Sequence, residues 1–279
     1  VFAGGGSLGA VEVGMLKALV AADVRADFVA GASAGAINAA YFAALPDASG
    51  VAALERIWRG LHTANVFPVS AWRSLLSLAG RASSLVDPGP LREVLETHLP
   101  YRRLEETMIV CHLVATDVRE GTECGLAAGP AVDALMASAA IPGVFPPVTI
   151  DGRQLIDGGV AANTPIASAV SLGAARIVVL PTGFSSALTG EPLHPLALAV
   201  HALNLMIARQ LRGDIALFRD RCRIVVVPPL CPVEVTPFDF SAAGELIDRA
   251  YASTREWLVG GGLGFEEDVP HELVPHTHV

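Results

Sequence analysis

Ser33 stands in GASAG (31–35), the G-x-S-x-G form of a sharp strand-to-helix turn that presents a nucleophilic hydroxyl. A serine hydroxyl attacks only when a neighbouring base takes its proton. The commonest base is a histidine steadied by a carboxylate, in the chain order Ser, Asp or Glu, His for one widespread fold. His98, His112, His194, His201 and the C-terminal His271, His276 and His278 meet that order on paper, but each also reads as an ordinary surface, strand, helix or tail histidine. Asp157 offers a second route. In LIDGGVAANTP it follows a strand-like run and precedes Gly158 and Gly159, where a carboxylate projects from a turn into a cleft. Asp-Gly is also plain turn chemistry, so this motif alone is weak.

A third motif, GGGSLG (4–9), has two chemical readings. Gly4, Gly6 and Gly9 match the G-x-G-x-x-G dinucleotide fingerprint, which also wants an acidic residue ending the next strand about 20 residues on. Asp23 and Asp27 precede that strand instead, so no nucleotide cofactor is expected. Consecutive glycines ahead of a helix also aim backbone N–H groups at a developing negative oxygen, the requirement of an oxyanion hole.

The elements that must position these motifs follow from periodicity and turn signals. The spacing predicts a strand end at 1–3, a helix over 10–22, a strand over 27–32 and a helix from Ser33 to Leu45 stopped by Pro46. Residues 51–99 read as helices at 51–61, 70–80 and 90–99, a cap-like segment whose apolar residues either pack inward or receive a greasy group. A strand is expected over 108–118 with a partner near 122–128, then a helix over 130–140 ended by Ile141-Pro142. A hairpin follows over 148–159, turning at Asp151-Gly152, with strands near 176–182 and 222–229 and helices over 165–172, 193–218 and 241–259. Strands alternating with helices predict a mostly parallel sheet covered on both faces. Residues 1–260 are expected to form one domain and 261–279 a flexible tail whose histidines are incidental, so no metal is expected.

Composition narrows the function classes. The 279 residues are 52% hydrophobic and only 17% charged, against roughly 25% charged in ordinary soluble domains. A net charge of −9 excludes a nucleic-acid binder, which needs a basic footprint. The arginines at 209, 212, 219, 221 and 223 are read as a solvated helix face and turn, with anionic head groups as the alternative. The apolar run 193–208 is shorter than the roughly 20 residues of a membrane span and carries His194, Pro195, His201 and Asn204. Cys111 and Cys222 sit in strand-like runs and are expected to be buried thiols, suiting a reducing, cytoplasmic setting. The chain begins at Val1, which leaves room for an upstream signal.

Taken together, GGGSLG, GASAG and DGG (157–159) in this order resemble the patatin-like phospholipase family, as do ASAAIPGVFPPV (137–148), NTP (163–165) and the late helix AGELIDRAYASTREWL. The resemblance covers nearly the whole chain. It implies an α/β/α sandwich and a Ser–Asp dyad, with Ser33 as nucleophile and Asp157 as base. It assigns the oxyanion hole to the amides of Gly4, Gly5 and Gly6, with Gly9, Gly31, Gly35, Gly158 and Gly159 as supporting positions. It implies hydrolysis of phospholipid or other lipid esters through an acyl-enzyme, without cofactor or metal, and with transient membrane-surface contact. Leu8 departs from the Arg or Lys frequent in the family, which removes a positive charge near the oxyanion. A histidine-dependent esterase and a silent lipid-binding protein stay as alternatives.

Overall fold

Residues 1–68, 84–183, 195–233, 235–264 and 270 are described, in a computed structural model. The helix expected at 70–80, His194 and residues 265–269 and 271–279 of the tail lie outside them. Strands β1 (Phe28–Ala32) and β2 (Val110–Asp117) pair in parallel. The chain start joins them, because Phe2 bridges in parallel to Gly31 on one side and to Leu180 on the other. Beyond it lie β6 (Arg176–Val179) and β7 (Arg223–Val226), also parallel. The other half is antiparallel: β3 (Glu123–Leu126) and β5 (Arg153–Asp157) pair with β2, and β4 (Val148–Ile150) pairs with β5. The sheet is therefore mixed. The hairpin joining β4 and β5 turns where expected, with Asp151 at φ 49° and Gly152 at φ 76°, the two left-handed positions that match the twist of paired strands.

Alternating side chains send the strands into two cores, as the period of two requires. Phe2, Val29, Leu113 and Val227 belong to one core with the helices Gly9–Ala21, Ala34–Ala44, Ala48–Gly60 and Ala243–Val259. Ile177, Val179 and Val226 face the other, closed by Ile166 and Ala169 of helix Ile166–Ser171 and by Leu211 and Ile215 of helix Pro195–Phe218. Helix Gly9–Ala21 is apolar on every side because it is sandwiched, and Gly14 lets the backbone at Ile247 and Tyr251 come close. Cys111 and Cys222 are buried in strands or beside them, and burial pushes the Cys111 thiol up to about 12. Among the described residues, no helix is long and apolar enough to cross a membrane.

Candidate active site

Ser33 is the residue between β1 and helix Ala34–Ala44, held at φ 54° and ψ −126°. A β-carbon at positive φ costs energy, and such strain persists only where the surroundings over-determine it. Here they do. The Ser33 N–H donates to Ser138 Oγ at 3.0 Å, and Ser138 Oγ–H donates to the Val114 carbonyl at 2.6 Å. Below the turn, a β-carbon on Gly35 would strike the carbonyls of Phe2 and Ala3, so glycine lets the helix start directly against the chain start. The elbow thus points the hydroxyl of a largely buried Ser33, 7% exposed, away from the sheet end.

Asp157 reaches that hydroxyl through strand register. β1 occupies residues 110–114 of β2 and ends with Ala32 opposite Val114. β5 runs the other way and ends with Asp157 opposite Ala115. β3 takes the far side of both Val114 and Ala115, so β1 and β5 share one edge of β2 and meet head-on. Their next side chains face each other across the junction: Ser33 Oγ–H donates to Asp157 Oδ2 at 2.7 Å. The other carboxylate oxygen accepts the Gly159 N–H at 2.7 Å. Thr116 Oγ1–H donates to the Asp157 carbonyl at 2.8 Å and fixes the backbone. Asp157 is 5% exposed. Burial pushes its carboxyl up to about 6, against the lowering pull of the Ser33 and Gly159 hydrogen bonds. A carboxylate with that affinity for protons sits near the working pH of a general base.

The glycine turn lies beside the same serine. The Gly4 N–H donates to the Asn163 carbonyl at 2.9 Å. The Gly4 carbonyl accepts from Thr182 Oγ1 at 2.9 Å and Asn163 Nδ2 at 3.2 Å, locking the turn from both sides. Among the described residues the N–H groups of Gly5 and Gly6 have no hydrogen-bond partner. Gly6 adopts φ +58° with the Pro237 carbonyl where a β-carbon would sit. The supporting glycines are placed around this pair. Gly9 meets the Trp58 ring, Gly31 lies against the Gly35 backbone, Gly158 lies over the Val114 carbonyl, and Gly159 supplies the N–H to Asp157. Leu8, where a basic residue is frequent, is buried and lines the cavity.

Two cavities open from Ser33. One, about 170 Å³, is bordered by Gly5, Gly6, Asp157, Thr182, Asn204 and Phe238. The other, about 60 Å³, is almost wholly apolar and lies between helices Ala34–Ala44, Ala48–Gly60 and Gly89–His98. The described helices of the cap-like segment, Ala48–Gly60 and Gly89–His98, therefore pack inward and still leave a slot at Ser33. Rings of Phe67, Phe145, Phe238 and Phe240 stack or abut in a wall shared by the two cavities, with centroids 5.3–6.0 Å apart about Phe67.

No described histidine side chain hydrogen-bonds Ser33 or Asp157 or borders either cavity. His98 is on the exposed end of its helix, and His112 is in mid-strand against Gly125. His271, His276 and His278 join His194 outside the described residues. Ser138, Asn163 and Thr182 were not singled out from sequence. Asn163 and Ser138 lie within quoted motif segments, but only their long-range partners reveal their positions in the site.

A family model for patatin-like phospholipases matches residues 1–170. A patatin-like phospholipase domain-containing protein of Caenorhabditis elegans is 28% identical over 186 residues, covering 66% of this chain and 13% of that protein. Patatin-like phospholipase domain-containing protein 7 of Rattus norvegicus is 28% identical over 228 residues, covering 74% and 16%. An uncharacterized NTE family protein of Mycobacterium bovis is 27% identical over 245 residues, covering 88% and 58%. The chain thus spans only part of the length of the curated relatives it matches.

Proposed function

The chain belongs to the patatin-like phospholipase family, and on that premise we propose that it is a serine hydrolase cleaving acyl esters of lipids through a Ser33–Asp157 dyad. The observation that carries this reading is the 2.7 Å hydrogen bond from Ser33 Oγ to a buried carboxylate whose proton affinity burial has raised. In the first step Asp157 takes the hydroxyl proton as Ser33 Oγ attacks the ester carbonyl carbon. The carbonyl oxygen becomes an anion facing the N–H groups of Gly5 and Gly6; losing one such donor costs about 10²–10³ in rate. Collapse breaks the carbon–oxygen ester bond, and the departing alcohol takes the proton from Asp157. Water then gives a proton to Asp157 and attacks the acyl-enzyme. The second collapse returns that proton to Ser33 and frees the fatty acid.

The apolar slot suits the acyl chain, and the larger, more polar cavity suits the alcohol part. The rim of that cavity carries exposed Leu203, Val160 and Phe238, with exposed Met206 on the same helix as Leu203. Exposed apolar residues around a cleft favour contact with a lipid surface. Helix Ala243–Val259 packs along helix Gly9–Ala21, which supports one unit reaching to about residue 260.

The test is labelling with a lipid-like fluorophosphonate, read by intact mass, on wild type, Ser33→Ala and Asp157→Asn. The expected result is one adduct on wild type, none on Ser33→Ala and a greatly slowed reaction on Asp157→Asn. Equal labelling of Asp157→Asn and wild type sinks the dyad. No label on well-folded wild type favours a silent lipid-binding protein.

A further inference from the structure

The slot has a direction, and its residues are arranged like marks along a ruler. Helix Ala34–Ala44 contributes Ala34, Ile37 and Tyr41, one face at three- and four-residue spacing. Helix Ala48–Gly60 follows after a turn of three residues and packs back against the first helix. The pairing of Trp58 Nε1 with Asn38 Oδ1 at 2.7 Å sets their register. The slot residues nearest the turn are therefore Tyr41 and Leu54, and those nearest the nucleophile are Ala34 and Leu61. Leu95 borders the same slot from helix Gly89–His98. Eight residues separate Ser33 from Tyr41, about 12 Å of helix at 1.5 Å each. Carbon–carbon bonds near 1.5 Å in an extended zigzag advance about 1.3 Å per carbon. A chain starting at Ser33 and stopping short of the Tyr41 ring has about eight carbons.

We propose that Tyr41, backed by Leu54, is the stop that limits acyl-chain length, and that the slot takes a straight, saturated acyl group of at most about eight carbons. This rests on the reading of the slot as the acyl site. Tyr41 is buried, and its ring is the most distant slot-lining side chain on the nucleophile's own helix. Its hydroxyl is buried without a hydrogen-bond partner among the described residues. An apolar ring alone would serve for packing there, so Tyr41→Phe keeps the stop and Tyr41→Ala removes it. Ile37 lies one turn from Ser33 and lines the same slot, so Ile37→Phe closes it about 6 Å from the nucleophile.

The experiment measures two things on wild type, Tyr41→Phe, Tyr41→Ala and Ile37→Phe. The first is kcat/KM for p-nitrophenyl esters of four to sixteen carbons. The second is the Tm shift given by saturated fatty acids of the same lengths, which needs no turnover. Wild type and Tyr41→Phe should peak at eight carbons or fewer and fall at least tenfold by fourteen. Tyr41→Ala should move the peak two to four carbons longer. Ile37→Phe should move the peak to shorter chains than wild type. A wild-type profile that does not fall by sixteen carbons overturns the proposal. So do unchanged profiles in both Tyr41→Ala and Ile37→Phe. Length-dependent Tm shifts without hydrolysis uphold the stop and overturn the hydrolase reading instead.

Discussion

Asp157→Asn should separate activity from stability in opposite directions. The Asp157 carboxyl is pushed from its ordinary 3.8 up to about 6, chiefly by burial. The folded protein therefore binds this proton more tightly than the unfolded chain does. Ionising the group in the fold has a cost that the unfolded chain does not share. The cost is absent below about pH 4, grows between pH 4 and 6, and is constant above pH 6. About two pH units at about 1.4 kcal/mol each make it about 3 kcal/mol. Asparagine has the same shape and no charge. Its oxygen can still accept the Gly159 N–H, and its amide can donate to Ser33 Oγ. The variant should melt roughly 5–10 °C above wild type at pH 8, with the difference shrinking to nothing by pH 4, while ester turnover is lost. Thermal unfolding by circular dichroism at pH 4, 6 and 8, beside hydrolysis of a soluble ester, reads both. A variant less stable than wild type at pH 8, or a Tm difference that does not change with pH, refutes the argument from burial.

Other consequences concern the same pair and its supports. The rate constant kcat/KM should rise about tenfold per pH unit below pH 6 and level off above it, because Asp157 accepts a proton only when ionised; a flat profile from pH 4.5 to 8 would remove it as the base. Ser138→Ala deletes the acceptor of the Ser33 N–H and the donor to Val114. It should destabilise by about 1–3 kcal/mol and lower kcat more than it raises KM, checked by urea unfolding and steady-state kinetics. Gly35→Ala drives a β-carbon into the Phe2 and Ala3 carbonyls and should cost about 1–3 kcal/mol or more. It should also slow fluorophosphonate labelling of Ser33 at least tenfold, and wild-type labelling would show that the elbow tolerates the shift.

Much of the site was legible because its chemistry is written in short segments. A serine between two glycines after an apolar strand reads as an elbow, and Ser33 is indeed held at positive φ. The Asp151-Gly152 turn and the Pro46 helix stop are equally local, since turn residues and proline act on their own backbone. The glycine turn was legible only as a set of three glycines. That Gly4 spends its N–H on Asn163 depends on a contact between residues 159 positions apart, which no local pattern encodes.

Sequence by itself determined the candidate residues for the proposed chemistry: Ser33, Asp157 and a glycine turn, each recognisable from its side chain and immediate neighbours. Tertiary structure alone decided how they act together. β1 and β5 meet head-on along one edge of β2, and that register brings Ser33 Oγ within 2.7 Å of a carboxylate 124 residues away. Burial at that junction raises the carboxyl toward neutral pH, and helix packing leaves the slot beside it. The physical reason is range. Backbone preference acts over a few residues, whereas register, desolvation and cavities are set by groups that meet only when the whole chain has folded.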